Sequence, residues 1–458
     1  MTLRRRRMYF FLLVAVFFIA APAVILYSQG YTLDLNNFSL KKTGAIFLST
    51  SPKGVRIFVD NLLAASTSDI IFSQGKLLSH MAPKEYDVRI EKEAYSPWDK
   101  KLEVKPQLVT EARNIFLVPQ RPLPLTIEKK VSDVIISDSN AMIAYVKTDG
   151  AAIFDVSSPK IIPLAAQPGE KVGNVRFGAD ENYLVVESFL NNRVRKYLLN
   201  VASGETTQIS EDNNEQFIKI RQYPAGEPKI IALSSNRELY FMDTRSQQEK
   251  TTIATNISNF ELFGDKILYA TVAPTVFYEK DLVSGKTEQL NQTPVVQFDF
   301  SSKILRSRGG FVAFIDNEQS LFIYNQEEKI FHLIAKNVLS AIFSDDDKKL
   351  MWQNKNEIYI YYLKDIVIHP QKAAGEIELI TRFSKPVGAI AWFSYDNEHI
   401  LFAADEKLKL IELDGRDKRN VYDIAEVKKP VKIIYNDFDD FIYFLDGQTF
   451  KKITLIKN

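Results

Sequence analysis

Cysteine is absent from all 458 residues. That excludes disulfides, thiolate nucleophiles, cysteine-based zinc sites and a cysteine-linked lipid anchor. Histidine is scarce. His80, His332, His369 and His399 are the whole set, and they lie too far apart in the chain for the short spacings of a metal site. Neither sign of charge is in excess, with 58 Lys and Arg against 57 Asp and Glu. The chain therefore carries no basic footprint for nucleic acid and no acidic tail. No glycine-rich phosphate loop opens a helix, so no nucleotide cofactor is expected. A G-x-S-x-G elbow is missing, which removes the usual serine-hydrolase signal.

Long apolar runs are also missing, with one exception. Four arginines, Arg4, Arg5, Arg6 and Arg7, precede "MYFFLLVAVFFIAAPAVILY", residues 8–27, a stretch without charge. At about 1.5 Å per residue a helix of that length covers about 30 Å, one bilayer core. The next basic residue is Lys41. This asymmetry predicts a cytoplasmic stub (1–7), a transmembrane anchor (8–27) and an extracytoplasmic remainder at the cell membrane. The alternative is a signal peptide cut after "APA", 21–23. Against cleavage, the apolar run continues through Val24, Ile25 and Leu26.

The remainder is ordinary globular composition, 46% hydrophobic and 25% charged. After a linker (28–43), residues 44–119 read as short alternating strands: "AIFLST", "GVRIFVD", "YDVRIEKEAY", "KKLEVK". Val55, Ile57 and Val59 point to one face and Arg56 to the other, as in a half-buried antiparallel sheet. The segment "STSPKGVRIFVDN" resembles the PEGA domain, a small bacterial surface β-domain named for a Pro-Glu-Gly-Ala turn before a V-x-I-x-V strand. Pro52, Lys53, Gly54 and Val55 occupy the four turn places, keeping the proline and glycine and replacing the other two. Two glycines that the family places near Tyr86 and Tyr95 are missing, while "WDKKLEV", 98–104, is similar to the family's end. The resemblance implies an extracytoplasmic module without catalytic activity.

From about residue 125 one phrase recurs. "FSDDDKKLMWQNKNEIYIYYLKD" starts at Phe343 and "FSYDNEHILFAADEKLKLIELDG" at Phe393. Related phrases start near Ser137, Gly178, Ala225, Phe263, Arg308 and Asn436. Each opens on a turn rich in Asp, Asn and Gly, continues with an apolar strand such as "MIAYV", "KIIAL" or "HILFA", and adds further strands between polar turns. Such self-similarity built only of short strands predicts a β-propeller over residues 122–458. Eight units fit, or seven if one weak unit is an insertion. The last unit has room for three strands, and a spare strand, 122–129, precedes the first, so that strand is expected to complete the final blade. The Phe393 phrase resembles the repeats of TolB-like and dipeptidyl-peptidase-like propellers. Asp180, Asp346 and Asp396 are expected to close turns through their own backbone.

The fold class is therefore all-β behind a transmembrane helix, with a small PEGA-like β-sandwich and a propeller. No catalytic, cofactor-binding or metal residue is assigned. Asp345, Asp346 and Asp347 suit a solvated turn better than a calcium loop. Trp352 and Trp392 are expected in the core, and His399 in a structural role. Tyr95 and Trp98 form either a packed strand end or a surface aromatic patch for a glycan. The expected function is binding of a protein, peptide or glycan by a membrane-anchored scaffold. The alternative is a hydrolase or lyase using carboxylates around the propeller channel, and the fold does not decide between them.

Overall fold

The computed structural model describes the chain except for residues 1–2, 35–38, 67–74, 148–149, 158–159, 165–169, 180, 192, 210–215, 224–226, 247–249, 296–297 and 457–458. Two compact units result. The first comprises Met1–Arg121, Ile366–Lys372 and Ile411–Tyr422; the second comprises Pro122–Asp365, Ala373–Leu410 and Asp423–Asn458.

The first unit opens with the helix Leu3–Ser28, which contains Pro22. Within its stretch Arg5–Ser28 the most apolar 18-residue window has a mean hydropathy of 2.7 and is not buried at all. It is long and apolar enough for a membrane anchor or a signal sequence. Residues 28–43 are not plain linker, since Tyr31–Asp34 pairs antiparallel with Ser39–Lys42.

Two sheets follow. One orders Lys76–Met81, Gly44–Ser51 and Val109–Phe116; the other orders Leu62–Ser66, Arg56–Val59, Glu85–Glu91 and Trp98–Glu103. Ile46 and Leu48 from the first meet Ile57, Val88, Ile90 and Trp98 from the second in one core. The alternation is as read, with Val55 and Ile57 fully buried and Arg56 exposed. A wholly antiparallel arrangement is not found. Gly44–Ser51 and Val109–Phe116 run parallel, because the chain visits the other sheet between them. The two-residue turn Asp60–Asn61 links Val59 to its partner Leu62 with φ of 49° and 63°. A turn with positive φ at both positions matches strand twist, and Asp and Asn tolerate it best after glycine.

This unit also holds a buried charge cluster. The Lys100 side chain is fully buried, with its ammonium 2.6 Å from Glu412 Oε1 and donating to the Asp414 carbonyl at 2.6 Å. Trp98 Nε1 donates to the other Glu412 oxygen at 2.8 Å. The aromatic pair is therefore no surface patch: Trp98 is 1% and Tyr95 8% exposed. Burial pushes the Asp414 carboxyl up, but the Arg416 hydrogen bond and the Lys100 charge outweigh it and hold it low. Glu412→Leu would leave the buried Lys100 with only the more distant Asp414 carboxylate, 3.6 Å away, at a cost of about 3 kcal/mol. Adding Lys100→Met should restore most of that loss. Thermal melts of the full chain and its three variants give the coupling directly; additive losses would show that the pair is not a unit.

Across the described residues 125–454, most of them in the second unit, the chain forms eight four-stranded sheets, numbered here in chain order. Sheets 1 to 7 span residues 131–164, 171–208, 217–254, 257–289, 303–335, 340–382 and 390–426. Each is a simple meander. The second strand of each is built around an apolar run, and every residue is buried in Lys349–Gln353 and His399–Ala404. Such strands are buried on both faces because sheets stack on either side. Ala144 and Val146 meet Leu184 and Val186; Val185 meets Ile230; Ile231 meets Ile267; Leu268 meets Phe314; Ala313 meets Leu350. Trp392 Nε1 donates to the Ile342 carbonyl, and the Phe393 and Tyr435 rings lie 4.7 Å apart. Trp352 and Trp392 are core residues, 3% and 4% exposed.

Sheet 8 closes the set. Its order is Leu125–Lys129, Thr449–Thr454, Phe441–Asp446, Pro430–Asn436, so the earliest strand of the unit completes the last sheet. Tyr443, Leu445 and Phe450 then pack on Ile143, Tyr145 and Phe154 of sheet 1. The turn carboxylates behave as read where they are described. Asp346 Oδ1 accepts from the Lys348 N–H, and Asp396 Oδ1 from the Glu398 N–H. Asp180 lies outside the described residues. His399 is buried, with Nδ1 2.7 Å from Asp396. A chain starting at Val131 loses the Leu125–Lys129 pairing; one starting at Pro122 keeps it. The shorter chain should melt at least roughly 5 °C lower, since about 1 kcal/mol moves a domain of this class by roughly 2–4 °C. Equal midpoints in differential scanning calorimetry would contradict the closing role.

Candidate functional site at the inner strands

The first strand of sheets 8, 1, 2, 3 and 4 carries the same irregularity. Pairing slips between Pro430 and Lys432, Val131 and Asp133, Val172 and Asn174, Phe217 and Lys219, and Ile257 and Asn259. An extra residue at such a bulge re-aims the side chain that follows it. Here that side chain is always polar. Equivalent residues on adjacent sheets touch: Lys432 Nζ lies 3.5 Å from Asp133 Oδ1, and Lys219 donates to Asn259 Oδ1 at 2.9 Å. Asn259 in turn donates to the Ser302 carbonyl at 2.7 Å, just before sheet 5.

Two residues further along, on the same strand face, sheets 2, 3 and 4 carry Arg176, Arg221 and Glu261. Glu261 accepts from Arg221 Nε and from Nη2, the latter at 2.8 Å, and its Oε2 is 3.0 Å from Lys219 Nζ. Burial pushes the Glu261 carboxyl up, but the Arg221 hydrogen bonds and the surrounding cations overcome this and hold it at about 2. Burial and the Arg221 charge bring the Lys219 ammonium down to about 8, Glu261 opposing. Arg176 is exposed to solvent, yet crowding by protein and repulsion from Arg221 lower its pKa too. Asn174, Arg176, Lys219, Arg221 and Asn259 line a cavity of about 300 Å³, with Ile218 and Phe300 beside them. The Asp138 carboxyl is pushed up by burial and by Glu181, with Arg308 opposing.

The residues singled out by the sequence lie elsewhere. Arg4, Arg5, Arg6 and Arg7 fall within the N-terminal helix, and the last three are exposed. In the Pro52–Lys53–Gly54–Val55 turn, Gly54 has φ +74°, which a side chain would strain, and Val55 is fully buried. Gly54 and Tyr95 border one groove of about 910 Å³ in the first unit, with Arg56, Arg89 and Glu91. Those charges pair with one another, Arg89 Nε lying 2.5 Å and Arg56 3.5 Å from Glu91. Among the described residues no group of three or more His, Asp or Glu is placed to hold a metal ion. The Arg176, Lys219, Arg221 and Glu261 cluster escaped the sequence reading. Its signal was the polar–apolar–polar triplet N-x-R, K-x-R and N-x-E at one place in three successive units.

Glu261 generates a pH dependence. A carboxyl held below its ordinary value of 4.5 contributes stability above that value and loses it as the pH falls toward 2. Glu261→Gln removes this contribution, so the variant should lose less on acidification from pH 5 to 3 than the parent. At pH 7 the substitution should cost about 3 kcal/mol by stranding buried cations. Without Glu261 the Lys219 ammonium loses a group that supports its charge and titrates below about 8, so the deficit should shrink as the pH rises toward 8 and level off above it. Melting midpoints across pH 3–9 test both arms, and a deficit independent of pH would refute the ion-pair assignment.

No protein-family model and no curated protein sequence matches the chain. Solved structures do. A eukaryotic initiation factor aligns with a TM-score of 0.51 at 14% identity, over 74% of this chain and 90% of that one. The C-terminal WD40 domain of Sif2 aligns at 0.48 and 11%, over 74% and 99%, and the Dos1 propeller at 0.48 and 11%, over 73% and 95%. At 14% identity the likeness to the initiation factor is one of fold alone, and that fold, with the stacked four-stranded sheets, is a β-propeller.

Proposed function

We propose that this chain is a membrane-anchored, extracytoplasmic binding scaffold. The helix holds it with residues 1–7 in the cytoplasm, a PEGA-like module over 44–119 extends from it, and the propeller over 122–458 presents a ligand-binding surface at the cell envelope. The observation that carries this reading is the N-terminal helix. It leaves its apolar window unburied in a chain that packs its other long apolar strands into cores. An unburied apolar surface of that length is stabilised by lipid. Two features support the module: the left-handed Gly54 in the resembling turn, and the Asp60–Asn61 hairpin that follows. Support for binding rather than turnover comes from the inner strands, where Glu261 is tied to two cations and held ionised, unsuited to general acid work.

Protease added outside intact cells should digest the bulk of the chain and leave a membrane-embedded fragment of about 3 kDa, the mass of roughly 28 residues. A chain released into the medium beginning near Val24 would replace the anchor by a cleaved signal. Protection of the propeller until the cells are lysed would refute the extracytoplasmic setting.

A further inference from the structure

We propose that the cavity among the inner strands Lys171–Phe177, Phe217–Gln222 and Ile257–Phe263 binds a protein segment presenting a carboxylate beside an apolar side chain, with Arg176 as the carboxylate's partner. This names the kind of ligand for the binding reading above and rests on it.

Three cations, Arg176, Lys219 and Arg221, face two carboxylates, Glu187 and Glu261, around this cavity. Glu261 is already engaged by Lys219 and Arg221. Glu187 reaches Asn174, its Oε2 3.5 Å from Nδ2. Arg176 has no hydrogen-bond or ion-pair partner among the described residues, although it stands in the midst of this cluster. Its guanidinium offers a planar fork of donors that matches a carboxylate bidentately. An incoming anion also offsets the repulsion that Arg221 exerts on it.

The rest of the lining selects among anions. Ile218 is 44% and Phe300 65% exposed, and both border the same space. A free phosphate gains nothing from them, whereas a Leu or Phe beside an acidic residue buries them. A cavity of about 300 Å³ admits one or two side chains rather than a folded surface, so the partner enters with a loop tip or a terminus. Nucleic acid, whose backbone needs a longer basic stripe, fits neither the size nor the neutral balance of the chain.

The test uses the full chain in detergent micelles and fluorescent nine-residue peptides with a Ser/Gly background around Glu-Leu, Gln-Leu or Glu-Ser. Anisotropy should show Glu-Leu binding, roughly tenfold tighter than Gln-Leu and several-fold tighter than Glu-Ser. Arg176→Gln should weaken Glu-Leu binding roughly tenfold with an unchanged melting midpoint, because this side chain is exposed. Glu187→Gln should tighten it, a gain that damage to the fold would not produce. The proposal falls if Arg176→Gln leaves Glu-Leu affinity unchanged, or if Gln-Leu binds as well as Glu-Leu. It falls equally if inorganic phosphate binds at Arg176 and no peptide does up to about 1 mM. Peptide binding indifferent to Arg176 would sink this site and leave the binding reading standing. The protease assay judges the scaffold's location without reference to Arg176.

Discussion

Everything in the second unit depends on one pairing, Leu125–Lys129 against Thr449–Thr454. A row of stacked sheets that did not close would expose an unpaired strand edge and one bare apolar sheet face at each end. Joining segments about 320 residues apart costs loop-closure entropy of roughly 5 kcal/mol. The return comes from two sources. The ladder satisfies the outer edge of the last sheet, and closure brings Tyr443, Leu445 and Phe450 onto Ile143, Tyr145 and Phe154. Burial of large apolar side chains is worth about 1.5–3 kcal/mol each, so a handful of such contacts outweighs the entropy. The order of strands matters as well. Because the early strand pairs with Thr449–Thr454, at the edge of the last sheet away from Pro430–Asn436, the last sheet reaches four strands in the same meander order as the other seven.

Closure explains why polar residues gather where they do. The second strands are held between neighbouring sheets and are apolar at their centres. The first strands of sheets 8, 1, 2, 3 and 4 carry bulges that re-aim polar residues. Asp133, Asn174, Lys219, Asn259 and Lys432 are therefore one structural position repeated five times with different chemistry. Repetition supplies the geometry and substitution supplies the specificity.

Much of this was legible in the sequence, for identifiable reasons. The propeller showed itself because stacking forces an apolar strand into every unit, and the closing strand because a spare strand at one end matched a missing strand at the other. The polar cluster was hidden because its members sit in separate units some forty residues apart, and no local pattern states that Arg221 and Glu261 share two hydrogen bonds. Trp98 was ambiguous for the same reason: its partner, Glu412, lies 314 positions away. The parallel pairing of Gly44–Ser51 with Val109–Phe116 was missed because alternation specifies a face and says nothing of strand direction. Local chemistry reported turns and faces; convergence between distant segments had to come from the fold.

The Lys219–Glu261–Arg221 network bears on function through its energetics. Burying charges costs more than their mutual attraction returns in many proteins, and apolar replacements of similar volume are often as stable or more so. A cluster that only filled space would be poorly explained by three cations on adjacent strands. The arrangement makes sense if the charges are held in place for something that arrives. Glu261 fixes Lys219 and Arg221 by direct hydrogen bonds, so neither is free to swing. Burial and the Arg221 charge disfavour the charge of Arg176, with Glu261 and Glu187 opposing. A rigid pair of cations beside an accessible third is an environment already organised around a missing negative charge, and preorganisation of that kind lowers the reorganisation cost when an anion binds.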